Sequence, residues 1–518
     1  MPLIDTDILL ISLQPDLDTV GLKSLHYTVR DRGFSSVLLY LTEPLAADGQ
    51  TAEAVKRFIA KRPPRIIGIS LMSHEYDQAA FLTNYLKQYF PAIPVIWGGI
   101  HPTVAPEMCL ADADFVCVGE GEAAVVRLLQ ALVNGKSVLS IPNIWHVTNG
   151  NVVKNPLLPL IETLDSLPVP DHLPVHAVIA HKGQIQQLNA FLFKKYARWR
   201  GTVFSVMASR GCPFACTYCC NDFFTRLYGR QHKIRRRSPA ALINQIANAV
   251  RQFPDIQYVN FHDDCFLATS DAFLADFCQR YKEQVGIPFI VRGIPKFFTE
   301  RKMRYLKDAG VAWISIGLQS ASSRVLSDVY NRKSTVAEFV KAATLIQQFK
   351  VAVYYDVILD NPLEREDEKL ALIPVLASAP RPYFLQLFSL VLYPGTALYD
   401  RIIPRFPERA GQYLAKDYHT YNSTVINRMI RISGYLPAPV MQYLVDEYRK
   451  NSGAASFRFS LFFATLVSAI VLEPLTAFRL IRLSRNGKTA EALRILPAYF
   501  SVGFSRYRKQ FLHWRGIS

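Results

Sequence analysis

The chain has 518 residues, of which 50% are hydrophobic and 19% charged. That length exceeds one ordinary core and predicts two or three domains, and that apolar content excludes a largely disordered chain. A net charge of +17 raises nucleic acid or an anionic membrane as partners, but twelve Lys or Arg against Glu473 and Glu491 in residues 449–518 place +10 of it at the C-terminal end.

Residues 1–7 lack a basic n-region and the apolar run 8–13 is too short for a signal peptide, so a reducing, cytoplasmic compartment is expected. Short apolar runs at 8–13, 36–40, 66–71, 95–99 and 115–118 alternate with helix-length amphipathic stretches. This pattern predicts a doubly wound parallel sheet over residues 1–135, with ligands expected in loops at the carboxyl ends of its strands. Those loops hold Asp16, Asp18 and Gly21, then Ser70, then Gly98 and Gly99, then Gly119 and Glu120. In residues 136–200 the pattern is broken by six prolines, apart from a hairpin signal at Asn149-Gly150, and the segment reads as a connector.

Six further strands are expected at 203–208, 256–261, 287–291, 312–318, 352–359 and 384–391, spaced widely enough for a return helix each. They predict a partial (β/α)6 barrel, similar to a TIM barrel, over 201–400, with the active site at the strands' carboxyl ends. The loop after its first strand contains Cys212, Cys216, Cys219 and Cys220. Three thiolates in the spacing Cys-x3-Cys-x2-Cys can hold three irons of a cubane cluster and leave the fourth open. Zinc is the weaker reading, since it asks for a fourth ligand and prefers paired Cys-x2-Cys units; Cys220 reads as packing.

At these cysteines, with Tyr218 before the last, the chain resembles the radical S-adenosylmethionine (SAM) superfamily. The resemblance implies a 4Fe-4S cluster on Cys212, Cys216 and Cys219, SAM chelated at the open iron, and generation of a 5′-deoxyadenosyl radical. It also implies SAM-binding positions at the barrel's strand ends. Asp263 and Asp264 end the second strand and read equally well as helix caps, Arg292 ends the third, Gln319 and Ser320 end the fourth, and Asp360 ends the fifth; Tyr218 belongs to the same set. Gln319 departs from the glutamate common there.

The N-terminal loops resemble those of cobalamin-binding domains, whose pattern Asp-x-His-x-x-Gly, Ser-x-Leu, Gly-Gly is met here by Asp16-x-Asp18-x-x-Gly21, Ser70-Leu71-Met72 and Gly98-Gly99. Asp18 stands where the family places its cobalt-ligating histidine, so no lower histidine ligand is expected from that position. Residues 97–107 and 118–122 resemble the group that includes anaerobic magnesium-protoporphyrin cyclase and class B methyltransferases. The implied function is methyl transfer to an unactivated carbon or oxidative cyclisation of a small molecule, with an electron donor such as flavodoxin or ferredoxin. The alternatives are a radical SAM enzyme without cobalamin acting on a lipid or other apolar substrate, and a cluster- or cobalamin-based sensor without turnover.

Residues 401–518 read as a helical basic region. The uncharged run 459–472 has fourteen residues, fewer than the roughly twenty a spanning helix needs. A buried helix closing the barrel is the favoured reading, with peripheral contact on an anionic membrane as the alternative. No nucleic-acid motif accompanies the charge, and no nucleic acid is expected.

Overall fold

The structure is a computed structural model that describes residues 6–45, 49–415 and 418–485. Residues 1–5 and the basic tail beyond Arg485, both used in the sequence reading, lie outside the described residues. Seventeen strands are described: β1 Ile8–Ser12, β2 Ser36–Tyr40, β3 Ile66–Ser70, β4 Val95–Gly98, β5 Phe115–Cys117, β6 Ile144–Thr148, β7 Asn151–Val153, β8 Ala177–His181, β9 Gln184–Gln187, β10 Val203–Val206, β11 Ser209–Arg210, β12 Arg235–Arg236, β13 Tyr258–Phe261, β14 Phe289–Gly293, β15 Val311–Gln319, β16 Ala352–Leu359 and β17 Phe384–Ser389.

The first sheet has the order β7-β6-β5-β4-β3-β1-β2-β8-β9, and its inner strands β5, β4, β3, β1, β2 and β8 pair in parallel. Its strands are apolar on both faces because both are covered. Ile8, Leu10, Leu38 and Tyr40 enter one core, while their neighbours Leu9, Ile11, Leu39 and Ile69 enter the other. Chain order reverses between β1 and β3, the switch point at which sheets of this class leave a crevice. The loops carrying Asp16–Gly21 and Ser70 follow those two strands.

The segment read as a connector instead supplies four strands. β6 and β7 form the expected antiparallel hairpin, with Asn149 and Gly150 both at positive φ as a type I′ turn requires, and β8 and β9 extend the opposite edge. Periodicity reports a strand's faces and not the sheet it joins, which is why β8 and β9, following the prolines, were not expected.

A six-stranded sheet takes β10, β13, β14, β15, β16 and β17 in chain order, with parallel registers from β14 to β17, as a partial (β/α)6 barrel requires. Two compact units are distinguished: the described residues up to Gly211 with 218–259 and 392–415, and 212–217 with 260–391 and 418–485. They cut across the 135, 200 and 400 boundaries because the segments 218–259 and 392–415 pack with the first unit.

The C-terminal expectation is corrected. One helical run of 30 residues, Ala455–Ser484, passes through a π-helical turn at Ser468–Leu472. Pro474 has no N–H to give, and the wider turn just before it absorbs the missing bond. By length and composition this helix reaches the size of a membrane span. The uncharged run ends at Glu473, but the helix continues through it to Ser484, and Arg431 lies 3.5 Å from that carboxylate. Nor is the helix buried, since a row of its large apolar side chains is exposed.

Candidate functional site

The cysteine loop begins where β10 hands over to β11. β11 pairs with β12, placing Arg210 opposite Arg235. Gly211 has φ +95°, and a Cβ there would meet the Lys233 carbonyl oxygen at 3.0 Å, so the residue before Cys212 must be glycine. Thr217 donates its N–H to Tyr330 O (3.0 Å) and its hydroxyl to Val329 O (2.6 Å), while Asn331 Nδ2 donates to Ala215 O (3.0 Å). Phe214 packs on Phe297 with ring centres 6.2 Å apart. Held at these points, the 214–217 backbone has little freedom.

Cys219 is the N-cap of the helix Cys220–Tyr228. It therefore stands at the positive end of that helix's dipole, a position suited to an anionic ligand atom. None of the eight cysteines is disulfide-bonded; Cys216 is buried and Cys212, Cys219 and Cys220 are half-buried. Among the described residues no three His, Cys, Asp or Glu side chains gather around one ion position. A cubane does not ask for that, because each thiolate binds a different iron. The loop thus fits a cluster by its donor set and its fixed backbone.

In the first unit, the loop candidates divide. Asp16 Oδ1 accepts the Asp18 N–H (2.8 Å), and Asp18 Oδ2 accepts the Ser205 hydroxyl (2.7 Å). Asp18 is therefore engaged with protein, consistent with the absence of a cobalt-ligating histidine. A Cβ on Gly21 would meet nothing within 4 Å, and this residue borders a small cleft lined by Lys23, Phe204, Met207, Arg210 and Arg237. Burial lowers the pKa of both Lys23 and Arg237. Ser70 and Gly98 are register partners at the ends of β3 and β4. Gly99, at φ +102°, would bring a Cβ within 2.8 Å of Leu71 O. Glycine is required at 99 by the protein's own backbone, which occupies the direction a Cβ would take. Buried His101, anchored through Nδ1 to Ser73 Oγ (3.0 Å), leaves Nε2 with no hydrogen-bond partner. These features fit cobalamin.

Gly119 and Glu120 are different. A Cβ on Gly119 would fall 1.8 Å from the Tyr228 hydroxyl, so that side chain already occupies the space. The Glu120 carboxylate accepts Arg210 Nη1 (2.9 Å), Arg235 Nη1 (2.9 Å) and Ile161 N (2.9 Å). Glu122 accepts Arg210 Nη2 at 2.5 Å; burial alone would raise its pKa, but Arg210 holds the carboxyl below its usual range. This network of two arginines and two glutamates gives Glu120 protein partners in place of a ligand.

In the second unit, Asp263 is 1% exposed whereas Asp264 is exposed, and neither caps the next helix, whose N-cap is Ser270. Arg292 Nη1 lies 3.5 Å from His262 Nδ1. Gln319 stands at φ +67° and its Oε1 has no partner. Ser320 donates to Glu364 (2.5 Å), whose burial raises its pKa to about 7. Asp360, at φ +60°, accepts from Ser389 Oγ (2.6 Å), Asn422 N (3.0 Å) and Asn427 Nδ2 (3.0 Å), so it ties the end of β16 to the helix Val425–Ser433. Its strand-end position was legible in the sequence, whereas the three donors brought by residues 389–427, which engage its side chain, were not. Tyr218 is half-buried in the cysteine loop.

Sequence reasoning missed Asp356. It lies in β16, where burial pushes its carboxyl up to about 6; Ser315 donates to Oδ2 (2.8 Å), and Oδ1 has no partner. A lone carboxylate inside the run Ala352–Leu359 was the available signal. Arg210 and Arg235 were also missed; a basic residue flanking a metal-binding loop carries no periodic signature.

Two protein families match the chain, the B12 binding domain over residues 6–129 and the radical SAM superfamily over residues 206–370. The chain is 26% identical over 391 residues to an uncharacterized methyltransferase of Pyrococcus horikoshii, covering 74% of this chain and 78% of that protein. It is 24% identical over 327 residues to the anaerobic magnesium-protoporphyrin IX monomethyl ester cyclase of Rubrivivax gelatinosus, covering 61% of this chain but only 54% of that protein. Its fold is similar to that of the cobalamin-dependent SAM radical enzyme OxsB, solved with aqua-cobalamin and SAM, with a TM-score of 0.62 at 15% identity over 98% of this chain and 83% of that one. Residues 6–129 thus match a B12 binding domain and residues 206–370 the radical SAM superfamily, a domain order that resembles that of the cobalamin-domain radical SAM enzymes.

Proposed function

We propose that the chain methylates an unactivated carbon, or closes a ring oxidatively, on a small-molecule substrate, using a 4Fe-4S cluster, SAM and cobalamin. When bound, these groups supply a 5′-deoxyadenosyl radical and a transferable methyl group. The observation that carries the reading is the cysteine loop itself: Cys212, Cys216 and Cys219 on a backbone fixed by Gly211, Thr217 and Asn331, following the first strand of a partial barrel.

The protein's own contribution is positional. The three thiolates hold the cluster, and the Arg210-Glu120-Glu122-Arg235 network fixes the backbone that leads into them. Of the SAM contacts expected from the sequence, Tyr218, Asp263, Asp264, Arg292, Gln319, Ser320 and Asp360, the foremost proposed here are Asp263, Arg292 and Gln319; Asp356 joins them because its Oδ1 and Gln319 Oε1 are buried acceptors with no partner in the protein. Asp16, Gly21, Ser70, Gly98 and Gly99 are the proposed cobalamin contacts. A flavodoxin or ferredoxin is the proposed electron donor, and a cytoplasmic location with peripheral membrane contact completes the proposal.

A cobalamin-free enzyme acting on an apolar substrate is the second reading, favoured by the Asp18 to Ser205 bond. Anaerobic reconstitution with and without cobalamin distinguishes the two. Corrin retained through gel filtration, with 5′-deoxyadenosine released on reduction, supports the first reading; release without retained corrin supports the second.

A further inference from the structure

We propose that the C-terminal helix docks the protein on an anionic phospholipid surface, lying in the plane of the interface with one aromatic stripe toward the acyl chains. This rests on the membrane contact proposed above and is independent of the cofactor reading.

The stripe is built by helical spacing. Phe459, Phe462, Phe463, Leu466 and Ile470 stand at i, i+3, i+4, i+7 and i+11, one face of the run Ala455–Ser484. Phe459 is 71% exposed, Phe462 62%, Phe463 58% and Ile470 64%. The other face is committed to the protein: Phe457 and Leu461 are buried, as are Ala477, Leu480 and Ile481 further along. The first part of the run packs on the helices Val425–Ser433 and Ala438–Asn451, and the second part on β15 and β16. A contiguous exposed apolar patch of this kind marks an interaction site.

Charge identifies the occupant. Exposed Arg458 stands at the start of the stripe and exposed Arg479 and Arg482 lie beyond it. With Arg458, Arg479 and Arg482 exposed, the described helix suits an anionic headgroup layer over apolar chains, and the sequence 449–518 as a whole carries twelve Lys or Arg against two Glu. Length alone would also allow a spanning helix, but two observations oppose it. Half of the run is packed against strands of its own domain, and Glu473, near its middle, is held by Arg431 at 3.5 Å. A helix in the interface keeps both contacts; a helix across the bilayer gives them up.

The test is flotation of the full chain with phosphatidylcholine vesicles, with and without phosphatidylglycerol. The protein is expected to float with the phosphatidylglycerol vesicles, to be released by high salt or alkaline carbonate, and to remain largely soluble with phosphatidylcholine alone. The triple variant F459S/F462S/F463S is expected to lose binding roughly tenfold or more, because three apolar side chains no longer enter the interface, while F459L/F462L/F463L retains it. Iron incorporation into the serine variant, equal to that of the parent, shows that it is folded. If the parent does not float, membrane contact itself is wrong. If the parent and the serine variant float equally, the basic tail binds and the stripe does not. Resistance to carbonate means a spanning helix, and a dimer of the parent that the serine variant abolishes means that the stripe receives a second copy; each of these overturns the proposal.

Discussion

The loop Gly119–Glu122 of the first unit and the adjacent strands β15 and β16 of the second both present carboxylates and amides, and they use them in opposite ways. Glu120 and Glu122 are satisfied by Arg210, Arg235, Ile161 and Ser24. Asp356 Oδ1 and Gln319 Oε1 are buried with nothing to accept from. A buried polar atom costs about 1–3 kcal/mol when left unpaired, which makes each such atom a candidate contact for a bound group. On the function proposed above, the saturated loop serves the fold of its own unit and the unsaturated acceptors are proposed to face SAM.

The largest expected effect comes from the cysteines: replacing Cys212, Cys216 and Cys219 together by Ala abolishes the iron-dependent absorbance of the reconstituted protein, whereas Cys220→Ala leaves it intact. Next is the saturated loop. Arg210→Met leaves Glu122 buried without its principal partner and should destabilise the chain by about 3–5 kcal/mol in chemical denaturation. A loss under about 1 kcal/mol, the range of an exposed pair, would show that the network is not structural.

Asp356→Asn probes the unsaturated acceptors. The carboxyl is raised to about 6 from its ordinary 3.8, so the folded state binds the proton more tightly, and stability falls as pH rises between those values. Removing that charge should stabilise the SAM-free protein at neutral pH by about 1–3 kcal/mol and flatten this part of the pH profile, while weakening SAM binding in equilibrium dialysis. Glu364, also raised by burial, to about 7, continues to give a slope between 4.5 and 7 in the variant. Stabilisation without loss of SAM affinity would remove Asp356 from the site. The smallest effect is expected at Gly119. Gly119→Ala meets the Tyr228 hydroxyl and a positive φ, costing about 1–2 kcal/mol, and Tyr228→Phe should recover part of that in a double-mutant cycle of thermal unfolding.

Much of the architecture was legible because strand patterns are local. Ala352–Leu359 and Ser36–Tyr40 fall where alternating and continuous apolar runs put them, and the others differ by a few residues at their ends. The cysteine motif was legible because its spacing is itself the chemistry. What escaped depends on partners distant in sequence. Asp360 is a strand-end carboxylate in sequence, but Asn422 and Asn427 make it a structural tie. Glu120 looked like a ligand-facing residue until Arg235, 115 positions on, closed on it. The long C-terminal helix was cut short at Glu473 because the cation that accompanies that charge sits on another helix.

Whether Cys212, Cys216 and Cys219 carry a cubane cluster in a corrin-binding chain is decided by anaerobic reconstitution of the full chain, followed by iron, sulfide and corrinoid quantification on one sample. One four-iron, four-sulfide cluster with corrin retained is expected, both iron and sulfide disappearing in the Cys212, Cys216 and Cys219 triple variant. Full cluster content in that variant, or a parent chain that takes up neither iron nor sulfide, would refute the assignment.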